Sequence, residues 1–193
     1  MYDYIKGKLA ELTPTQAIIE NSGIGWKLEI SLQTYSGIQG RDEIKLFVYH
    51  HLREDAELLY GFFDKKEREM FEKLIGVSGI GPNTARVILS SLTIDELTSA
   101  VLNGDVSKIK SIKGIGLKTA QRLIIDIKDS IGKSGKNELP LQPQNNDIHD
   151  ETLSALTLLG FPKSSAEKVI SKNLKEHPSS SLEELIKLCL KSL

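Results

Sequence analysis

Two stretches of this 193-residue chain set glycines, hydroxyls and a lysine at spacings that could hold a phosphate. Val77-Ser78-Gly79-Ile80-Gly81-Pro82-Asn83-Thr84-Ala85-Arg86 is echoed by Ile112-Lys113-Gly114-Ile115-Gly116-Leu117-Lys118-Thr119-Ala120-Gln121, with 35 positions between Gly79 and Gly114. Glycine permits positive φ and, having no Cβ, lets another backbone come close. The residues that follow, Ala85, Val87 and Ile88 in one copy and Ala120, Leu123 and Ile124 in the other, are apolar at helical spacing. A helix starting there presents unpaired N–H groups and the positive end of its dipole, which favour an anion. The chemistry is a noncovalent grip: backbone amides around Gly79, Gly81, Gly114 and Gly116, with Asn83, Thr84, Lys118 and Thr119 alongside.

Helix, glycine-pinned hairpin and second helix form the helix-hairpin-helix motif of DNA-binding proteins, present here in tandem. The chain contains its own control, because Ser22-Gly23-Ile24-Gly25 has the same letters. Trp26-Lys27-Leu28-Glu29-Ile30 then alternates with period 2, so that copy is a turn entering a strand.

Catalytic and metal motifs fail on spacing, and no catalytic residue or cofactor is assigned. Gly116-Leu117-Lys118-Thr119 resembles the end of a P-loop, but that motif needs Gly-Lys-Thr and a further glycine where Ile112 stands. His50 and His51 are adjacent on a strand and point to opposite faces, which disfavours a shared metal. Cys189 is alone, so there is no disulfide framework and no cysteine zinc site; its apolar neighbours make it a small buried residue. Glu54 and Asp55 read as a solvated acidic turn between two strands. As a carboxylate pair they could instead bind Mg²⁺, but no third acid nearby completes a nuclease site.

The elements that position these residues fall into an α+β, multidomain chain. Residues 1–62 read as five strands, Tyr4 to Leu12, Gln16 to Glu20, Trp26 to Ser31, Ile44 to Tyr49 and Leu58 to Phe62, forming a small OB-type barrel. Residues 63–132 read as helical, with capping signals at Asp64-x-x-Glu67 and Thr93-x-x-Glu96 and a C-cap at Gly104. Residues 133–147 have no apolar period and read as a flexible linker. Residues 148–193 read as a three-helix, UBA-like bundle: Glu151 to Leu159, Ser165 to Leu174 and Leu182 to Leu193, the last opened by Ser180-x-x-Glu183. A unit this small is more often a docking module than a catalyst.

Composition, 39% hydrophobic and 26% charged, is that of an ordinary soluble chain. The N-terminus lacks an apolar h-region, and no run approaches the ~18 apolar residues of a membrane span, so the expected location is cytoplasmic with no membrane partner. A net charge of −1 looks wrong for a DNA binder until it is divided along the chain. The barrel segment carries six basic and nine acidic residues, the hairpin segment eleven and nine, and the remainder eight of each. The basic excess therefore falls on the hairpins. It is small, so a single grip is weak and salt-dependent, and useful binding needs several copies acting together.

Ile5-Lys6-Gly7-Lys8-Leu9, His51-Leu52-Arg53-Glu54-Asp55-Ala56-Glu57-Leu58-Leu59-Tyr60-Gly61-Phe62, the paired hairpins and the tethered bundle with Leu159-Gly160-Phe161 resemble the RuvA family over nearly the whole chain. These are the bacterial subunits that recognise Holliday junctions. The resemblance implies a homotetramer with barrels at its centre and hairpin domains on the four arms of an open junction, one or two tetramers per junction. It makes Glu54 and Asp55 an acidic pin where strands cross, and the bundle around Leu159, Gly160 and Phe161 the contact for a RuvB-type ring ATPase. Cleavage is left to a separate RuvC-type resolvase. Asn83 departs from the family, where lysine is common at that place.

Two rival classes are a helix-hairpin-helix base-excision glycosylase and an OB-fold single-strand binder. The first needs a sizeable pocket domain around the motif, which the chain does not offer. The second needs basic residues and stacking aromatics on the barrel, against which its net charge of −3 argues.

Overall fold

The computed structural model describes residues 2–54, 56–134, 146–177 and 180–192. Asp55 and residues 135–145, the greater part of the expected linker, lie outside the described residues.

Strands β1 (Tyr4–Thr13), β2 (Gln16–Asn21) and β3 (Ile24–Ile30), helix α1 (Leu32–Ile38), and strands β4 (Glu43–Leu52) and β5 (Glu57–Phe62) make a closed barrel of order β1-β2-β3-β5-β4. Among the described residues only β3 and β5 pair in parallel. Alternation builds the core: Ala17 and Ile19, Leu28 and Ile30, and Ile44, Leu46 and Val48 turn inward and are buried. A register shift between Leu9 and Glu11 bends β1, so its first half pairs with β4 and its second with β2. A Cβ at Gly7 would lie far inside van der Waals contact of the Glu20 carbonyl oxygen, so only glycine lets the two strands approach there. Ser22 and Gly23 take positive φ in the β2–β3 turn, as the period-2 continuation implied.

Helix α1 is absent from the sequence-based reading, which had only turn residues around Gly37 to Asp42. Seven residues containing a glycine give little period to detect. Packing makes the helix: Thr34 and Ile38 are fully buried beneath the barrel, and Ser31 caps it by accepting from the Thr34 N–H.

Helices α2 (Lys65–Gly76), α3 (Pro82–Ser91), α4 (Ile94–Leu102), α5 (Val106–Lys110) and α6 (Leu117–Ser134) follow. The Thr93/Glu96 capping box forms in full, and Gly104 takes φ +68° just past α4. Asp64 caps α2, accepting from the Glu67 N–H at 2.8 Å, but the Glu67 side chain does not complete a box. It is buried and accepts hydrogen bonds from Ser31 and, at 2.6 Å, Thr34.

The barrel and these helices share a core. Phe71 of α2 packs its ring 4.9, 5.1 and 5.3 Å from those of Phe62, Tyr60 and Tyr49. Arg86 of α3 is tied to Glu29 and, at 3.1 Å, to the Thr15 carbonyl. Two compact units result, Met1–Glu138 and Leu139–Leu193.

The second unit holds α7 (Asn146–Leu158), α8 (Lys163–Glu176) and α9 (Leu182–Ser192) around Leu156, Ala166, Ile170, Leu185 and Cys189. Helix thus reaches to Ser134 and resumes at Asn146, taking both ends of the expected linker. The cap of α9 is Ser181 with Glu184, one residue beyond the expected pair. Both pairs have the same spacing; burial of Leu185 and Cys189 selects between them.

Candidate nucleic-acid interface

The two glycine loops are folded alike, bond for bond. Val77 N–H donates to Leu74 O at 3.1 Å, Ile80 N–H to Val77 O at 3.0 Å and Ala85 N–H to Gly81 O at 2.9 Å. Thirty-five residues on, Ile112 donates to Ile109 at 3.2 Å, Ile115 to Ile112 at 3.1 Å and Ala120 to Gly116 at 2.9 Å. Val77 and Ile80, and likewise Ile112 and Ile115, are buried and anchor each loop to the helical core. Gly79, Gly81, Gly114 and Gly116 remain exposed at the loop crests.

The glycines do not share one role. Gly79 (φ +94°) and Gly114 (φ +91°) turn the chain through the left-handed region, which an L side chain resists. Gly81 (φ −90°) is the N-cap of α3, and a Cβ at Gly81 or Gly116 would meet nothing within 4 Å. Positive φ therefore explains only the first glycine of each pair; the second leaves open space above a helix start.

Helix α3 has no side-chain cap, and Pro82 at its first position lacks an N–H. Asn83 is exposed and Thr84 half-buried beside that end. At the start of α6, Lys118 is exposed and Thr119 half-buried. The first loop is also tied to α6: Arg122 Nη1 donates to the Ser78 carbonyl at 3.3 Å, and Thr119 Oγ1 lies near enough to Gly79 that an added Cβ would stand 3.9 Å from it. All eight expected phosphate contacts thus lie on the two loops or the first turns after them.

Four further residues refine this. Arg122 and Lys113 are exposed on the same structure but were not singled out from sequence. Their signals were present: Arg122 lies four residues after Lys118, on one helix face, and Lys113 precedes Gly114. Among the described residues Lys110, Lys113 and Lys118 form no ion pair, leaving their charge for a ligand. Arg86, though inside the first motif, is spent on Glu29 and faces the barrel instead.

Glu54 is exposed at the tip between β4 and β5, where the Arg53 N–H donates to Ala56 O at 2.8 Å. Its expected partner Asp55 lies outside the described residues. His50 and His51 address different neighbours, Nε2 of the first 2.8 Å from Glu57 and Nε2 of the second 3.0 Å from Arg53 Nε. In the second unit, Gly160 (φ +95°) ends α7, with Phe161 N–H donating to Leu156 O at 3.1 Å. Leu159 is 61% exposed and its neighbour Leu158 88%, whereas Phe161 packs partly against the bundle core.

Comparisons with known proteins agree along the whole chain. Residues 1–61 match the model described as RuvA N terminal domain, 71–129 a SAM-like helix-hairpin-helix tandem, and 147–193 the RuvA C-terminal domain. A protein of Bacteroides thetaiotaomicron named "Holliday junction branch migration complex subunit RuvA" is 47% identical over 201 residues, covering all of both chains. Proteins of the same name from Flavobacterium psychrophilum and Christiangramia forsetii are 46% and 45% identical over 193 residues, again with full coverage of both.

Proposed function

Because the chain belongs to the RuvA family, we propose that its two hairpins are the phosphate grips of a Holliday-junction-binding subunit of a branch migration complex. The observation that carries the reading is the bond-for-bond repeat of the two loops, set side by side on one core. Two such grips can hold the two backbones of a duplex across its minor groove. Amides, hydroxyls and lysine then meet phosphate oxygens and leave base edges unread, so binding is indifferent to sequence. A single grip of small charge is weak. Four copies in a ring, one to each arm, turn that weakness into selection for the four-way structure.

The remaining parts follow from this arrangement. Glu54 and Asp55, brought together from four copies, are the acidic pin that repels phosphates at the crossing and keeps strands apart. The C-terminal unit, with Leu158 and Leu159 exposed, docks a RuvB-type ring ATPase, so ATP hydrolysis belongs to another chain and this subunit is non-catalytic. A RuvC-type resolvase acts on the junction so held. The complex works in the cytoplasm; among the described residues no helix is long and apolar enough to cross a membrane.

The test is a comparison of four-way junction, linear duplex and single strand at one salt concentration. Junction should be retained far beyond duplex of the same sequence, and with any arm sequence. Equal affinity for junction and duplex would overturn the reading; a preference for damaged bases would favour a glycosylase.

A further inference from the structure

The outer face of α8, in the second unit, is a basic strip open to solvent. Ala166, Ile170 and Asn173 turn into the bundle at helical spacing and are buried. Ser164, Lys168, Ser171 and Lys175 repeat that spacing about 200° round the helix, and these four and Lys172 are all exposed. Together with Glu167 they line a shallow groove along α8. Residues 146–193 hold six lysines and seven acids; α8 carries four of the lysines and only two of the acids, so charge is sorted by helix in a unit that is nearly neutral.

The two acids of α8 do not neutralise the strip. Glu167 is drawn to Lys163, 3.9 Å away at the first turn, and Glu176 stands four residues past Lys172 without pairing to it. Among the described residues Lys168, Lys172 and Lys175 form no ion pair. Lys168 and Lys172, four residues apart, are a like-charge pair that destabilises a helix. Of the three, Lys175 alone lies in the last turn, where the helix dipole favours a cation. Folding of the bundle therefore gives no reason for the first two.

We propose that this face of α8 binds the phosphates of duplex DNA without reading sequence, as a second contact outside the glycine loops. From Lys168 to Lys175 the helix rises about 10 Å, over which one strand of an aligned duplex presents about three phosphates. Ammonium groups, with the hydroxyls of Ser164 and Ser171 between them, are donors that phosphate oxygens accept from. A single strand is the poorer occupant, because the strip has no aromatic ring on which a base could stack. A protein partner fits less well too, since the strip has no apolar or aromatic anchor and lysine is depleted in such interfaces. The exposed Leu158 and Leu159, assigned above to the ATPase, lie outside it. That the duplex is an arm of the junction rests on the reading of the hairpins, and the strip's affinity for phosphate does not. Carried on the same chain as those hairpins, a weak contact here acts at a raised local concentration.

Lysine acetylation of the full chain, read by mass spectrometry with and without a three-turn duplex of about 30 base pairs at low salt, tests it. Lys168, Lys172 and Lys175 should react several-fold more slowly when duplex is present, while exposed Lys191 of the same unit should react as before. Lys168→Gln, Lys172→Gln and Lys175→Gln together should weaken duplex binding about tenfold and make its salt dependence shallower by about two to three logarithmic units per copy engaged. The melting temperature, and stimulation of the ring ATPase at saturating DNA, should not move. Protection of Lys113 and Lys118 with none on α8 overturns the inference and leaves the hairpin reading standing; protection on α8 alone does the reverse, and protection at neither overturns both. Equal protection of Lys191 makes the effect general to the unit and also sinks the inference. It fails too if the triple variant binds duplex as before, and if ATPase stimulation is lost while duplex binding is kept, the face is a protein contact instead.

Discussion

Gly114 and Gly116 look interchangeable in sequence and are not. Gly114→Ala forces an L side chain to φ +91° and should cost about 1 kcal/mol or more of stability together with junction binding. Gly116→Ala meets no atom of the protein, so its melting temperature should stay near that of the original while junction affinity falls. Paired melting and binding measurements separate the two; an equal loss of stability in both would contradict the division of roles. Lys118→Ala should weaken binding to all arm sequences alike and make the salt slope shallower by about one unit, and a sequence-selective loss would argue against a phosphate contact. The two glycine loops and the helix starts behind them were legible because the motif repeats itself with helical spacing behind it. The different duties of its glycines were not, because φ is set by the bonds Ile80 and Ile115 make to Val77 and Ile112.

Glu67 shows how an element boundary can be read correctly for an incomplete reason. The pair Asp64-x-x-Glu67 does mark the start of α2, but tertiary structure captures the glutamate: Ser31 and Thr34 bind it beneath the barrel, and Thr34 Oγ1 also accepts from Phe63 N–H at 3.0 Å. Burial pushes the Glu67 carboxyl above the usual glutamate range, against the hydrogen bonds from Ser31 and Thr34, with nearby Asp64 pushing the same way as burial. The folded state therefore holds this proton more tightly than the unfolded chain. Its contribution is fully present below the unfolded value and is lost as pH rises through the folded one. Urea midpoints taken from about pH 5 to about pH 8 should show that decline, and Glu67→Gln should flatten it. An identical pH profile in the variant would assign the decline to other groups. Strand positions were legible from period-2 alternation. Helix α1 and the sharing of Phe62 and Tyr60 with α2 were not, since alternation says which face of a strand is apolar and nothing of what covers it.

At the scale of the whole molecule, α6 extends to Ser134, so a chain ending there keeps every described helix and strand of its first unit. It should still bind junctions and assemble, and should no longer stimulate a ring ATPase; full ATP-driven branch migration by the shortened chain would end the docking assignment. The paired change Glu54→Gln with Asp55→Asn should leave junction affinity equal or higher while lowering selectivity for junction over duplex, measured by competition in one tube. Unchanged selectivity would return both residues to the status of an ordinary acidic turn. The three parts of the chain were legible from composition and period, whereas the packing of the first two on one core had no local signal.

The tie between the first loop and α6 has one more consequence. With Arg122 holding the Ser78 carbonyl, the span between the two proposed phosphate sites is tied, and the pair would act as a fixed-jaw gauge. A gauge measures. It suits one separation of backbones, and the broad, shallow minor groove of an A-form helix presents another. If the loops hold DNA as proposed, arms made of RNA–DNA hybrid should therefore bind more weakly than DNA arms in a side-by-side titration, so the protein would distinguish the two polymers by width, with no contact to a 2′-hydroxyl required.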